Sequence, residues 1–164
     1  MTIKHRISAI IFGLVCVATA AADPAAITTP PAVAQIMLAS APQKGLEAKP
    51  GKDVKITTAE PSRFRVLPGL KDKSYVSLEA VGHTGFFLHH QKFVMFLHQK
   101  PKTTNVTWDG DVSFKLIHVD GDKVRFEPST WPGYFIPARS DGSVIIARGA
   151  SPEESTFILK QAKD

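Results

Sequence analysis

The side chains of widest chemical reach are six histidines, fifteen carboxylates and one cysteine. His89 and His90 are adjacent, and His83, His98 and His118 are scattered around them. Neutral imidazole is a common metal ligand. Adjacent strand residues point to opposite faces, however, so His89 and His90 are not expected to share an ion. No metal site and no cofactor are expected. A glycosidase holds two carboxylates ~5 to 10 Å apart across a cleft, and no such pair is recognisable here. Neither Gly-x-Ser-x-Gly nor a phosphate-binding glycine loop occurs, so an enzyme is not expected. Cys16 is the single cysteine, which excludes a disulfide framework and a multi-cysteine zinc site. Trp108 lies in a long loop from His98 to Gly110, where exposure and packing both fit it. Asp111 ends Trp108-Asp109-Gly110-Asp111, a composition that also suits a plain turn.

These residues belong to a chain of 164 residues, one domain by length. Hydrophobic residues make up 43% and charged residues 21%, an ordinary globular balance. The formal charge of +5 is mild, and no basic stripe is visible, so nucleic acid is not an expected partner. Lys4, His5 and Arg6 precede an apolar run from Ile7 to Thr19. That run is shorter than the ~20 residues needed to cross a bilayer. Small residues at Ala18 to Ala22 complete a signal peptide over residues 1–22, with cleavage expected between Ala21 and Asp23. The mature chain is then secreted or periplasmic, with no membrane span and no cysteine. Residues 23–35, with Pro24, Pro30 and Pro31, read as an extended arm.

From Ile36 onward the chain repeats three times. Ile36 to Ser40 aligns with Val76 to Ala80 and Val124 to Pro128. Gly45, Gly85 and Gly133 stand at matching points and suggest turns needing positive φ. Val54-Lys55-Ile56 aligns with Val94-Met95-Phe96 and Val144-Ile145-Ile146. Phe64, Phe114 and Phe157 open the fourth segments. Apolar residues alternate in each segment, the signature of strands, and no helix periodicity is sustained. The repeats fall at about 36–70, 75–119 and 124–161. Three four-stranded units predict an all-β chain, a β-trefoil, since a propeller needs at least four blades. Leu38, Leu78 and Phe126 form one expected core set. Val54, Val94 and Val144 form a second, Ile56, Phe96 and Ile146 a third, and the three fourth-strand phenylalanines a fourth.

Phe64-Arg65-Val66-Leu67-Pro68-Gly69-Leu70, Val76 to His90, Asp111-Val112-Ser113-Phe114 and Trp131-Pro132-Gly133-Tyr134-Phe135-Ile136 carry a family resemblance. They resemble the arabinofuranosidase-B-type arabinose-binding (AbfB) domain, the family 42 carbohydrate-binding module. The likeness covers about Ile36 to Gln161. Gln-x-Trp, the mark of ricin-type trefoil lectins, does not occur. The resemblance implies a β-trefoil in which each repeat forms a shallow sugar pocket. A histidine after the second strand and an aspartate before the fourth contact arabinofuranose hydroxyls. Here those positions are His90 and Asp111 in the second repeat. The third repeat has Ala138 and Glu154, so Glu154 and Tyr134 would belong to a degenerate pocket. The first repeat has Pro50 and Pro61, with Glu60 adjacent. Phe86, Tyr134 and Trp131 fit core or cap positions better than a sugar platform.

The function so implied is non-catalytic binding of arabinose-containing polysaccharide or oligosaccharide. The α-L-arabinofuranosidase activity of relatives resides in a separate catalytic domain. The alternative is an exported scaffold with degenerate pockets that docks an envelope protein. The two altered pockets motivate it, as do the arm and Lys44 and Lys49 beside the first pocket.

Overall fold

The structure is a computed structural model describing residues 29–164. The expected signal peptide and the expected arm as far as residue 28 lie outside the described residues, and Val33 to Gln35, expected in that arm, begin the first strand. β1 (Val33–Leu38), β2 (Ala41–Glu47), β3 (Lys55–Thr57) and β4 (Arg63–Pro68) come first. β5 (Val76–Ala80), β6 (Phe86–Gln91), β7 (Val94–Gln99), α1 (Val106–Asp111) and β8 (Phe114–Asp120) come next. β9 (Lys123–Pro128), β10 (Tyr134–Phe135), β11 (Ala147–Arg148), α2 (Pro152–Ser155) and β12 (Phe157–Gln161) complete the chain.

The strand pairs are antiparallel, and the chain is all-β apart from the two short helices. β1 pairs with β4, β4 with β5, β5 with β8, β8 with β9, β9 with β12 and β12 with β1. Those strands close into a barrel, which removes the free edges of an open sheet. The hairpins β2–β3, β6–β7 and β10–β11 extend from it. Single bridges join them to one another: Asp53 to Phe96, Lys55 to Ser143 and Val94 to Ile145. Phe64, Phe114 and Phe157 are fully buried in the barrel, with Phe126 packed between the last two. Burying each such ring contributes about 1.5–3 kcal/mol.

Four sequence expectations change. In β7 the core residues are Met95 and Leu97, while Val94 and Phe96 are only half-buried. The reason is hairpin register. His90 lies opposite Met95 and Leu88 opposite Leu97, and opposed residues share a face. In the third repeat Val144 and Ile145 make only isolated bridges, and the paired strand is Ala147–Arg148. Both helices were illegible because each is too short to show a 3.6-residue period. Gly45 is not a positive-φ turn. It pairs with Met37 inside β2, and an added Cβ would meet Met37 Sδ at 2.7 Å and Pro61 Cβ at 2.8 Å. Gly85 and Gly133 do carry positive φ, 81° and 80°. Glu79 and Glu127, matched across the repeats, accept hydrogen bonds from those two glycine N–H groups at 2.7 and 2.6 Å.

Candidate functional site

β6 is the strand around which the site is built, because both of its faces are covered. Leu88 and His90 face the barrel core. Phe87 and His89 face α1, which crosses the other side. Asn105 starts that helix, its Oδ1 accepting from Trp108 N–H at 3.0 Å, as an N-cap does. Trp108 then stacks on His89 (5.8 Å between centroids, 16° between planes) and meets Phe87 edge-on. It is 8% exposed, so it packs rather than faces solvent. Asp111 is the last residue of α1 and not a turn residue. Ser113 Oγ donates to Asp109 C=O at 2.7 Å and fixes the end of the helix.

The helix therefore sets Asp111 against His90. Thr130, from the loop after β9, joins them. Its Oγ1 lies 3.1 Å from Asp111 Oδ1 and 2.9 Å from His90 Nε2. A carboxylate only accepts, so the single hydroxyl proton goes to Asp111. Thr130 Oγ1 must then accept from His90, which places the imidazole proton on Nε2. Asp111 Oδ1 also lies 3.3 Å from His90 Nε2. Burial pushes the His90 pKa down, and Asp111 opposes that shift by favouring the charged ring. His89 is pushed down to about 4, by burial first and then by the charges of His98 and His90. Its Nδ1 sits 3.0 Å from Nδ1 of His98, whose own pKa burial also lowers. The alternation expected to separate His89 from His90 holds along β6, yet His89 Nε2 still lies 4.0 Å from Asp111 Oδ2. The end of α1 comes over both rings. Among the described residues no cluster of three or more His, Cys, Asp or Glu could hold a metal.

Above this triad opens a hollow of about 350 Å³. His90, Asp111 and Thr130 supply its polar floor, and Phe93 and Trp131 supply an aromatic wall. Asp111 offers carboxylate lone pairs to vicinal hydroxyls, in charge-assisted hydrogen bonds. Aromatic faces suit the C–H face of a sugar ring, as they suit other apolar surface.

Two matching hollows lie in the other repeats. One, of about 350 Å³, is lined by Ser40, Ala138, Ser140, Ser151 and Glu154 among others. Ala138 and Glu154 stand there where His90 and Asp111 stand in the second repeat. Ser151 caps α2, its Oγ accepting from Glu154 N–H at 3.3 Å and donating to Glu154 Oε2 at 3.3 Å. Arg139 approaches Glu154 Oε1 at 3.9 Å. Tyr134 does not line this hollow. Its ring packs 5.3 Å from Trp131 and 6.1 Å from Phe93, beside the His90 site, so the expected pairing with Glu154 is corrected. The β-hairpin carries it away toward the second repeat. The first repeat's hollow, about 190 Å³, is lined by Glu60, Pro61, Arg63 and His83 among others.

Thr130 and Phe93 carry no signal that the sequence alone reveals. Thr130 lies far from His90 along the chain, in a loop notable only for its Trp-Pro-Gly. Phe93 sits in the β6–β7 turn, where Lys92 and Phe93 both take left-handed φ, 49° and 67°. Such turns usually announce themselves by Asn-Gly, and Lys-Phe gives no such cue.

The family model of the Alpha-L-arabinofuranosidase B (ABFB) domain matches residues 42–158. No curated protein sequence matches the chain. Among solved structures, an arabinofuranosidase complexed with arabinofuranosyl-alpha-1,2-xylobiose superposes with a TM-score of 0.71 at 14% identity. The match covers 82% of this chain and 32% of that one, so this chain spans about a third of that protein's length. An endo-β-galactosidase from Clostridium perfringens that releases GlcNAcα1-4Gal gives 0.65 at 18% identity, over 80% of this chain and 32% of that one. The designed 3-fold symmetric protein ThreeFoil gives 0.63 at 11%, over 80% of this chain and 99% of that one. At these identities the structural likeness establishes the fold.

Proposed function

This chain belongs to the Alpha-L-arabinofuranosidase B (ABFB) domain family, and on that basis we propose that it is a non-catalytic carbohydrate-binding module for arabinofuranose side chains. In arabinofuranosidases this domain is an accessory to a separate catalytic domain. The observation that carries the proposal is the His90–Thr130–Asp111 triad at the floor of an aromatic-walled hollow. The oligosaccharide in the arabinofuranosidase complex supports the same ligand class. The closed barrel, the three joined hairpins and the matched hollows support a β-trefoil of three four-stranded repeats. The second repeat holds the working pocket. No observation favours an envelope protein partner. Among the described residues no helix is long and apolar enough to cross a membrane. Export follows from the basic, apolar leader of residues 1–22, and the N-terminal mass of the exported protein tests it.

Calorimetric titration with arabinoxylan-derived oligosaccharides tests the site. Wild type should bind with one site per chain. Asp111→Ala and His90→Ala should each weaken binding at least about tenfold, since each removes a hydrogen-bonding partner worth roughly 1.5 kcal/mol or more. Unfolding curves show whether the variants remain folded. Folded variants that bind like wild type would reject this site.

A further inference from the structure

Among the described residues the exposed large apolar side chains are Phe93, Val106, Val119 and Trp131. Two of these four, Phe93 at 46% and Trp131 at 41% exposure, stand together on the rim of the His90 hollow. They come from different repeats, yet their ring centroids are 5.2 Å apart. Tyr134 completes the cluster, 5.3 Å from Trp131. An aromatic cluster this exposed does little for the core.

Phe93 carries a second anomaly. Its φ of 67° is left-handed, a region that a bulky side chain rarely adopts. Glycine would occupy that turn position without strain. The hydrogen bond from Ile146 N–H to Phe93 C=O, 2.8 Å, ties the backbone to the third repeat. Strain of this kind persists where the surroundings over-determine it, and it concentrates at ligand contacts. Here the strained residue holds its ring out over the wall of the hollow. The hollow itself, about 350 Å³, is at the small end of ligand sites. Phe93 and Trp131 line it and keep large exposed faces.

We propose that the Phe93–Trp131 rim is a second subsite, stacking the sugar to which the residue in the hollow is attached. The recognised ligand is then a branched oligosaccharide and not a free pentose. This rests on the sugar-binding reading of the His90 hollow and adds its specificity determinant.

The test compares methyl α-L-arabinofuranoside with an arabinofuranosylated xylo-oligosaccharide by calorimetry. The proteins are wild type, Phe93→Gly, Trp131→Ala and His90→Ala. Wild type should prefer the oligosaccharide by about three- to tenfold, the range that one aromatic contact supplies. Phe93→Gly should weaken binding of the oligosaccharide more than binding of the monosaccharide, and so lose most of that preference. It should melt no lower than wild type, because glycine relieves the turn. Trp131→Ala should lose the preference likewise, and His90→Ala should lose both ligands. Equal affinity of wild type for the two ligands overturns the second subsite alone. So does a preference left intact in both aromatic variants. Failure of wild type to bind either ligand overturns the sugar reading and this subsite with it.

Discussion

The second and third repeats shape hollows of equal size, about 350 Å³ each, and furnish them differently. In the second, α1 is packed onto β6 by Trp108 and ends on Asp111, which meets Thr130 and His90. In the third, α2 is a single turn that ties Glu154 to its own cap Ser151, and the Ala138 side chain offers no polar atom opposite. The hollow recurs at corresponding positions of the sequence repeats. Its chemistry depends on one helix and a few side chains, which can change without disturbing the barrel. Arg125 shows how separately the third repeat is held. Its Nε donates to Ser155 Oγ at 2.9 Å, and its guanidinium lies 3.6 Å over Phe135.

The contrast breaks most severely at Trp108. Trp108→Ala empties the space between α1 and β6, and such a truncation costs about 3–5 kcal/mol. Thermal unfolding should show a large drop in Tm, and the fraction that stays folded should bind ligand weakly. A loss of under about 1 kcal/mol would mean that α1 does not depend on this packing.

Acid sharpens the contrast next. The His89 pKa lies at about 4 in the folded chain, below the ordinary value of 6.5, so the unfolded chain binds the proton first. Stability is therefore fully present above pH 6.5 and declines as pH falls toward 4, by on the order of 3 kcal/mol from this residue. The downward shifts of His90 and His98 act in the same direction. The third-repeat hollow has no histidine among its lining residues. Hydrogen exchange at pH 7 and pH 5 should show α1 and β6 losing protection before α2 does. Equal loss in both regions would contradict the local origin of the effect.

The smallest effects separate the two helix caps. Asn105→Ala and Ser151→Ala should each cost about 1 kcal/mol in chemical denaturation. Only Asn105→Ala should also weaken sugar binding, because only α1 positions a carboxylate against a histidine. A matching loss of binding in Ser151→Ala would draw the third repeat into the site.

Much of the fold was legible in the chain. Phe64, Phe114 and Phe157 recur in phase with the repeats, and all three are buried. Leu38, Leu78 and Phe126 behave likewise. Alternation reports burial faithfully when one face of a strand meets the core and the other meets solvent. It misled at β7, because the left-handed turn at Lys92 and Phe93 reset which residues face inward. It was uninformative at β6, where α1 buries the second face too.

The residues of the triad show where sequence stops. His90 and Asp111 were selected by a family pattern, which carries only residue type and spacing. That Asp111 ends a helix was hidden, since a six-residue helix has no resolvable period. Thr130 lies 40 residues from His90, and no local rule links them. The repeats, the strand class and the aromatic core could be read along the chain, because they are written in short-range periodicity. The bridge that Thr130 makes from His90 to Asp111, and the meeting of Phe93 with Trp131, were settled by tertiary packing. Those contacts arise from barrel closure and from hairpins of neighbouring repeats coming together, and they fall between residues that are distant along the chain.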